Sequence, residues 1–586
     1  MRNSINLIFF LFVLILVSCV KPNEEPEIVE FPVNESTPAF QNLKIETDKA
    51  VYIPGEKVVF TITGNSIPDN SMVKYTCLGE GIEEHQFNAN SWTWNPPSDD
   101  FKGYLIEITN DQTVYASIAV DVSSSWTKFP RYGFLSKYGA LSDEDISGVI
   151  SNLNRHHING IQFYDWHNKH HRPLPVNGDV PLSKWKDIIN NDVYFSTVEN
   201  YISLAHQHGM KTMFYNLIFG AWKNAEADGV NKEWYVFTDN THTNRDFHPL
   251  PSPPFLSNLY LLDPSNPEWQ NYLLEQDRIV YSHLNFDGFH MDQLGDRGTR
   301  YKYDGSNLKL SETFPSFIEA EKTDQSLKYS VMNAVNQYGQ EGIAASSTDF
   351  LYSEIWNPFN SYADLASIIK QNNALSNNTK NTILAAYVNY DLADQQGYFN
   401  TASVLMTNAV IFAFGGAHLE LGEHMLGKEY FPNNNLKMKT DLQTALVTYY
   451  DFMVAYQNLL RDGGSFNTPE LSSVDNKMEL AKWPAANGYV AVFGKQLDNK
   501  QVIHLINFKN STTDQWRDNQ GVQSIPAMIK NSQLDITSTE IIKKLWIASP
   551  DVIGGASRSL AFKQEGDHVY FTLPELKYWT MIVLEN

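Results

Sequence analysis

The chain has 586 residues, 42% of them apolar and 13% aromatic, with a formal net charge of -23. That length divides into about three domains, one of them large enough for a barrel. The acidic balance repels phosphate backbones and argues against nucleic acid as a partner, whereas a neutral polymer meets no such penalty. Two cysteines, Cys19 and Cys77, exclude a disulfide framework.

Residues 1–19 read as a targeting segment. Arg2 supplies positive charge, and Ile5 to Val17 is an apolar run too short for a stable membrane span. The run ends in Leu16-Val17-Ser18-Cys19, which resembles a bacterial lipoprotein signal. That resemblance implies cleavage before Cys19 and a diacylglycerol on its thiol. Residues 20–37 begin Val20-Lys21-Pro22-Asn23-Glu24-Glu25, Pro-rich and acidic, and read as a flexible tether. A Lys followed by acids at this place is similar to the surface-export signals of Bacteroidetes-type lipoproteins. The expectation is a secreted protein, lipid-anchored to the bacterial outer membrane and exposed at the cell surface.

Residues 38–125 show short strand-like runs divided by turns: Lys44 to Asp48, Val51 to Ile53, the turn Pro54-Gly55-Glu56, Val58 to Thr63, Tyr104 to Ile108 and Val114 to Val122. This spacing predicts an immunoglobulin-like β-sandwich. Cys77 lies in an apolar stretch of it and reads as a small buried hydrophobe.

Residues 126–467 repeat a different unit. Ser142-Asp143-Glu144-Asp145 reads as a capping box, Asn159-Gly160 as the stop of its helix, and Ile161 to Trp166 as a strand. Ser196-Thr197-Val198-Glu199 opens a second helix that Gly209 ends before the strand Lys211 to Ile218. Asn266-Pro267-Glu268 starts a third, with Pro at the first helical position, before Phe289 to Asp292. With Tyr132 to Leu135, Ser330 to Val335, Phe350 to Glu354, Ile383 to Asn389 and Ala417 to Glu420, eight strands alternate with helices. This predicts a (β/α)8 TIM barrel whose polar strand ends line one mouth. No dinucleotide or phosphate-loop glycine pattern is present. Residues 468–586 turn strand-like again at Tyr489 to Phe493, Gln501 to Asn507, His568 to Leu573 and Lys577 to Leu584, predicting a C-terminal antiparallel β-sandwich. The fold class is thus a central barrel flanked by two β-sandwiches.

Two strand ends carry acids: Asp292 on the fourth strand and Glu354 on the sixth. Carboxylates on alternate strands can face each other across one pocket. Glycoside cleavage needs this pair, one carboxylate against the anomeric carbon and one acid on the leaving oxygen. Tyr352 and Trp356 offer Glu354 an apolar wall that raises its pKa. Asp287 belongs to the turn before the strand, and Asp296 to the loop after it.

The segment Phe286-Asp-Gly-Phe-His-Met-Asp-Gln-Leu-Gly-Asp296 resembles the nucleophile segment of glycoside hydrolase family 66, the family of dextranases and cycloisomaltooligosaccharide glucanotransferases. Leu351-Tyr-Ser-Glu-Ile-Trp356 resembles its acid/base segment. Gly160 to Trp166, Tyr215 to Ile218, Tyr260 to Pro264, Val331 to Asn336 and Gly416 to Glu420 are similar as well. The resemblance implies retaining endo-hydrolysis of α-1,6-linkages in dextran to isomaltooligosaccharides, with Asp292 as nucleophile and Glu354 as general acid/base. The sequence departs from the family at Met291, where a small residue such as Gly is expected, which bears on the fine shape of the pocket. No inserted carbohydrate-binding module of about a hundred residues interrupts the barrel, which favours hydrolysis over cyclisation.

Further strand-end residues are expected to bind sugar: Tyr164, Asp165, His167, Tyr215, Asn216, His290, Trp356, Asn389 and Glu420. His167 and His170-His171 invite a metal reading, but no convergent ligand set is expected, and neither a metal nor another cofactor is called for. Three rivals stand beside the hydrolase: a transglycosylase or cyclising enzyme, a barrel hydrolase for another glucan linkage, and a non-catalytic surface glycan-binding lipoprotein. The last has no use for an intact acid pair.

Overall fold

The structure, a computed structural model, describes residues 43–586 apart from 65, 66, 112 and 485. Cys19, the targeting segment and the tether lie outside the described residues. Among the described residues no helix is long and apolar enough to cross a membrane.

The chain opens on two antiparallel sheets. One holds Leu43–Thr47, Val58–Gly64 and Ser91–Trp94; the other runs Glu80–Gln86, Met72–Cys77, Lys102–Asn110, Thr113–Val122. Alternation sends Ile45, Phe60 and Ile62 of the first and Val73, Tyr75, Ile106 and Ile118 of the second into one core. The edge strand Glu80–Gln86 is exposed along nearly its whole length, so it lacks the alternation that marks the others. Cys77 is half-buried, short of the full burial expected of it.

Eight parallel strands then form the barrel: β1 Tyr132–Leu135, β2 Gly160–Phe163, β3 Lys211–Leu217, β4 Gly288–Asp292, β5 Tyr329–Val335, β6 Leu351–Glu354, β7 Thr382–Ala385 and β8 Ala417–His418. Each pairs with the next in sequence. The seam between β8 and β1 is closed just past β8, where the Phe134 amide donates to the Leu421 carbonyl at 3.1 Å. A Cβ on Gly422 would stand 2.4 Å from the Phe134 carbonyl oxygen, so the seam closes only on glycine there. The intervening helices are α1 Asp143–Arg155, α2 Phe195–Gln207, α3 Pro267–His283, α4 Phe314–Asp324, α5 Gln340–Ala345, α6 Tyr362–Leu375 and α7 Thr401–Ala413, with α8 Thr440–Ala455 following β8. In α1, Ile146, Ile150 and Leu153 form the buried stripe.

The expected helix starts hold at Ser142, a full capping box with Asp145, and at Asn266, whose side chain accepts from the amides of Glu268 and Trp269. Two local readings are corrected. Helix α2 starts at Phe195 without a side-chain cap, because the extended strand Asp192–Tyr194 runs straight into it and Ser196 falls inside the first turn. Gly160 does not stop α1; the turn is made by His157 at φ +54°. Gly160 is required by packing, since a Cβ there would stand 2.2 Å from the Trp126 ring.

The C-terminal region again holds two sheets. One orders Ser465–Asn467, Val490–Leu497, Lys500–Asn507, Trp579–Glu585, Lys544–Ala548 and Arg558–Ser559; the other orders Leu471–Ser473, Ile529–Thr537, His568–Leu576 and Phe562–Glu565. Val490, Ile503, Leu534 and Phe571 meet between them. The pairing departs from the purely antiparallel expectation at Leu480–Lys482, which runs parallel to Val490–Leu497.

One buried ion pair joins the first domain to the barrel floor. Arg131 Nη2 donates to Asp121 Oδ2 at 2.8 Å, and both side chains have no exposed surface. Its Nε donates to the His157 carbonyl and its Nη1 to the Phe129 carbonyl, while Gln457 donates to Asp121 Oδ1. Asp121→Ala leaves the Arg131 charge buried without its partner, at a cost of about 3–5 kcal/mol. A thermal melt is expected to show a clear drop in Tm; an unchanged Tm would mean that this pair does not hold the docking.

Candidate active site

In β4 the alternation of a strand puts His290 and Asp292 on the inner face and Phe289 and Met291 on the outer one. Phe289 stacks on Phe214 of β3 at 4.5 Å, and Met291 is fully buried. Asp292 is the last residue of β4, Glu354 the last of β6, and β5 lies between them with Asn333 pointing into the same mouth. All three line a cavity of about 700 Å3 at the C-terminal ends of the strands. Barrels of this kind carry their chemistry at that face.

Asn333 organises the pair. Its Nδ2 donates to Asp292 Oδ1 at 2.8 Å and to Glu354 Oε2 at 2.9 Å. Those two oxygens therefore stand no farther apart than about 5.7 Å, the two bonds laid end to end. Each acid also accepts from a tyrosine: Tyr215 donates to Asp292 Oδ2 at 2.6 Å, and Tyr387 to Glu354 Oε1 at 2.9 Å.

Burial raises the Asp292 pKa, and the hydrogen bonds from Tyr215, Asn333 and the Gln293 amide pull it back. Burial, and then the negative charge of Asp292, push Glu354 up to about 7. The two acids are thus driven apart: near neutral pH, Asp292 is the one that keeps its charge and Glu354 the one that holds a proton. His290 is held neutral by burial, its pKa down to about 3, and stacks on Tyr132 at 5.7 Å. It is part of the cavity floor.

Aromatic rings form the walls. Tyr164 stacks on Phe431 at 4.2 Å, and Trp356 tilts against Tyr387 at 5.3 Å. The loop after β3 brings Leu250 and Phe255 to one side, and the loop after β8 brings Tyr430 to the other.

Of the residues expected to bind sugar, Tyr164, Asp165, Tyr215, His290 and Trp356 line this cavity. His167, Asn216, Asn389 and Glu420 do not. Asn216 follows Tyr215 in β3 and so faces the other side, where it donates to the His170 carbonyl. His167 packs edge-on against His170 at 4.4 Å. Asn389 sits at φ +58° and donates to the Asp518 carbonyl in the C-terminal domain. Glu420 is buried and accepts from Asn408 and Tyr450. Asp287 is tied to His206, Lys211 and Thr212 before β4, and Asp296 caps the Gly298 amide, both as expected. Asn333 and Tyr387 were not among the candidates. A lone amide inside the apolar run of β5, between two acid-bearing strands, was the available signal for the first.

A convergent ligand set, which the sequence reading did not expect, does form. Asp165, His167 and His170 each bring one ligand atom to within 4.8 Å of the others. The Trp222 indole donates to His170 Nδ1 at 3.2 Å, so neutral His170 carries its proton on Nε2 and has no lone pair left for a cation. Burial and the charges of Asp187 and Asp292 raise Asp165 well above the usual carboxylate range. These facts favour a cluster of neutral groups beside Asp292.

A family model for glycosyl hydrolase family 66 matches residues 47–583. A cycloisomaltooligosaccharide glucanotransferase of Niallia circulans is 27% identical over 703 aligned positions, covering 93% of this chain and 72% of that protein. A dextranase of Streptococcus salivarius is 25% identical, covering 85% and 68%. A crystal structure of a Paenibacillus sp. cycloisomaltooligosaccharide glucanotransferase complexed with cycloisomaltoheptaose superposes with a TM-score of 0.82 at 25% identity, covering 93% of this chain and 99% of that one. Because the Asn333 amide bonds only the charged forms well, Asn333→Ala is expected to raise the titration of both Asp292 and Glu354. Carbodiimide labelling against pH, read by mass spectrometry at each residue, checks this; unmoved midpoints would mean that the shared amide does not tune the pair.

Proposed function

The chain belongs to glycosyl hydrolase family 66, and from that premise we propose that it hydrolyses α-1,6-linkages inside dextran with retention of configuration, releasing isomaltooligosaccharides. The observation that carries this is the short, shared bridge between the two acids. The two bridged oxygens stand no farther apart than about 5.7 Å, which is compatible with the roughly 5–5.5 Å carboxyl separation of retaining enzymes.

In the first step Asp292, ionised, attacks the anomeric carbon, and Glu354 gives its proton to the departing glycosidic oxygen. A covalent glucosyl ester on Asp292 results. In the second step Glu354, now a carboxylate, takes a proton from water, which attacks the same carbon and frees Asp292. Tyr215 holds Asp292 in line, and Tyr387 does the same for Glu354. Walls on both sides of the acid pair leave room for sugar rings before and after the scissile bond, which supports cutting within a chain. The alignment to the glucanotransferase runs over 703 positions against 586 residues here, so that relative carries inserted residues which this chain lacks. This favours hydrolysis. The names of the relatives keep transfer to a second sugar, or cyclisation, as the other reading.

Product analysis on dextran, pullulan and starch is expected to give a ladder of isomaltooligosaccharides from dextran alone. Cyclic products would move the reading to the glucanotransferase. Asp292→Ala and Glu354→Ala are each expected to abolish turnover of dextran, with azide partly restoring the Glu354 variant on α-isomaltosyl fluoride, whose leaving group needs no proton and whose intermediate a small anion can attack unaided. Since the acid must be protonated, kcat/KM is expected to fall as pH rises through about 7, where Glu354 titrates. Near-normal turnover in either variant would overturn the assignment.

The same proposal includes anchoring at the outer membrane through Cys19, an immunoglobulin-like kinship for the first sandwich, and domain limits at 38–125, 126–467 and 468–586. Mass spectrometry of the amino-terminal peptide from the native host is expected to find a diacylglyceryl cysteine at Cys19; an unmodified thiol there would remove the anchor.

A further inference from the structure

Between Lys500–Asn507 and Ile529–Thr537 the C-terminal domain sends out a strap, residues 508–528, that leaves its own sheets and lies along the barrel mouth. Trp516 is fully buried in it. Its indole donates to the Phe359 carbonyl at 2.8 Å and its amide to the Asn360 carbonyl at 3.1 Å. The Tyr362 amide donates to the Asp514 carbonyl at 2.9 Å, and the Asn389 amide to the Arg517 carbonyl at 2.6 Å. Asp518 accepts from Ser403 at the start of α7. The strap is thereby tied to the loops after β6 and β7, the loops that present Trp356 and Tyr387 to the cavity.

Arg517 is the side chain at the centre of this contact. Its Nη2 donates to the Ile355 carbonyl at 2.7 Å and its Nη1 to the Tyr387 carbonyl at 3.3 Å. Its guanidinium lies 5.0 Å from the Trp356 ring and 5.4 Å from the Tyr390 ring. Ile355 is the residue after Glu354, and Tyr387 is the hydroxyl donor to Glu354 Oε1. One planar fork therefore fixes the backbone next to the acid and the backbone of its tyrosine partner, and braces the indole beside both.

We infer that Arg517 is a positioning residue of the active site, a cation delivered by the C-terminal domain that sets the place of Glu354 and adds its charge to the groups that face it. The inference rests on reading Glu354 as the general acid/base. The groups facing Glu354 fall on two sides of the balance. Burial and the Asp292 carboxylate favour its protonated form. Tyr164, Tyr352 and Tyr387, all driven well above the usual phenol range, stay neutral hydroxyls. Hydrogen bonds from Asn333, Tyr387 and Trp356 favour the carboxylate, and the attraction between Glu354 and Arg517, the smallest of those that act on the guanidinium, adds to them. Lysine cannot replace the fork, because a single ammonium does not span two carbonyls while stacking on an indole.

The test compares wild type with Arg517→Lys and Arg517→Gln, on dextran and on α-isomaltosyl fluoride with azide present, across pH. Fluoride leaves without a proton, so a defect in acid catalysis spares it. Arg517→Gln is expected to lose about 100-fold in kcat/KM on dextran, the size of a misplacement of about 1 Å, while staying within a few-fold of wild type on the fluoride. Its alkaline limb on dextran is expected to move to higher pH. Arg517→Lys, which keeps the charge but not the fork, is expected to keep the limb near wild type and to recover only part of the rate. Carbodiimide labelling of Glu354 against pH reads the same shift without any substrate. Equal loss on both substrates with an unmoved limb and an unmoved labelling midpoint, or no loss at all, would overturn the inference. Wild type inactive on both substrates would instead overturn the proposed function, and the labelling midpoints in Arg517→Gln would still decide the role of Arg517.

Discussion

Two carboxyl groups bridged by one amide, with the bridged oxygens about 5.7 Å apart or less, cannot both be charged cheaply in a buried pocket. At an effective dielectric of about 20 their repulsion is roughly 3 kcal/mol, or about two pH units. That repulsion adds to burial in driving the titrations of Asp292 and Glu354 apart. Much of the rest of the molecule can be understood as what holds this distance. The parallel ladder sets the spacing between β4 and β6, and Asn333 on β5 fills the gap with a donor that serves both. The tyrosines on β3 and beyond β7 occupy the outer oxygens, so neither carboxylate can turn away.

Strand ends and loops differ in what keeps them still. Asp292 and Asn333 belong to hydrogen-bonded strands, and their positions follow from the ladder. Trp356 and Tyr387 lie past the ends of β6 and β7, where no ladder reaches. There the C-terminal domain supplies the missing restraint, with Trp516 and Arg517 bonded to the loop carbonyls. The first domain performs a different service at the opposite face, where the Arg131–Asp121 pair bonds the start of β1 to the last strand of the sandwich. The two β regions are thus not equivalent: one steadies the barrel floor and the other reaches its mouth.

These differences also decide what the sequence could show. The eight barrel strands were legible because each is a short apolar run closed by a polar residue and followed by a helix-starting or turn signal. The acids were legible for the same reason. The candidates divide along strand alternation: Tyr215 and Asn216 are neighbours on one strand, so only one of them can face the cavity, and His290 with Asp292 can share a face while Met291 cannot. Glu420 lies beyond the short β8 and is taken up by Asn408 and Tyr450 from α7 and α8, partners that no local pattern reveals. The cavity walls from the loops near Phe255 and Tyr430, and the strap around Arg517, have no periodicity at all. Arg517 is 163 residues from Glu354 in the chain, and only the packing of two domains brings them together.

The same alternation resolves the one departure from the family pattern within the nucleophile segment. A methionine where a small residue is expected would crowd the pocket if it pointed inward. It does not: Met291 lies between two inward residues, is fully buried, and pairs in register with Met332 of β5, itself next to the inward Asn333. Both methionines therefore belong to the layer between strands and helices, where a flexible thioether fills irregular gaps. The side chains that shape the cavity floor, His290, Asp292 and Asn333, are unaffected by the choice at position 291.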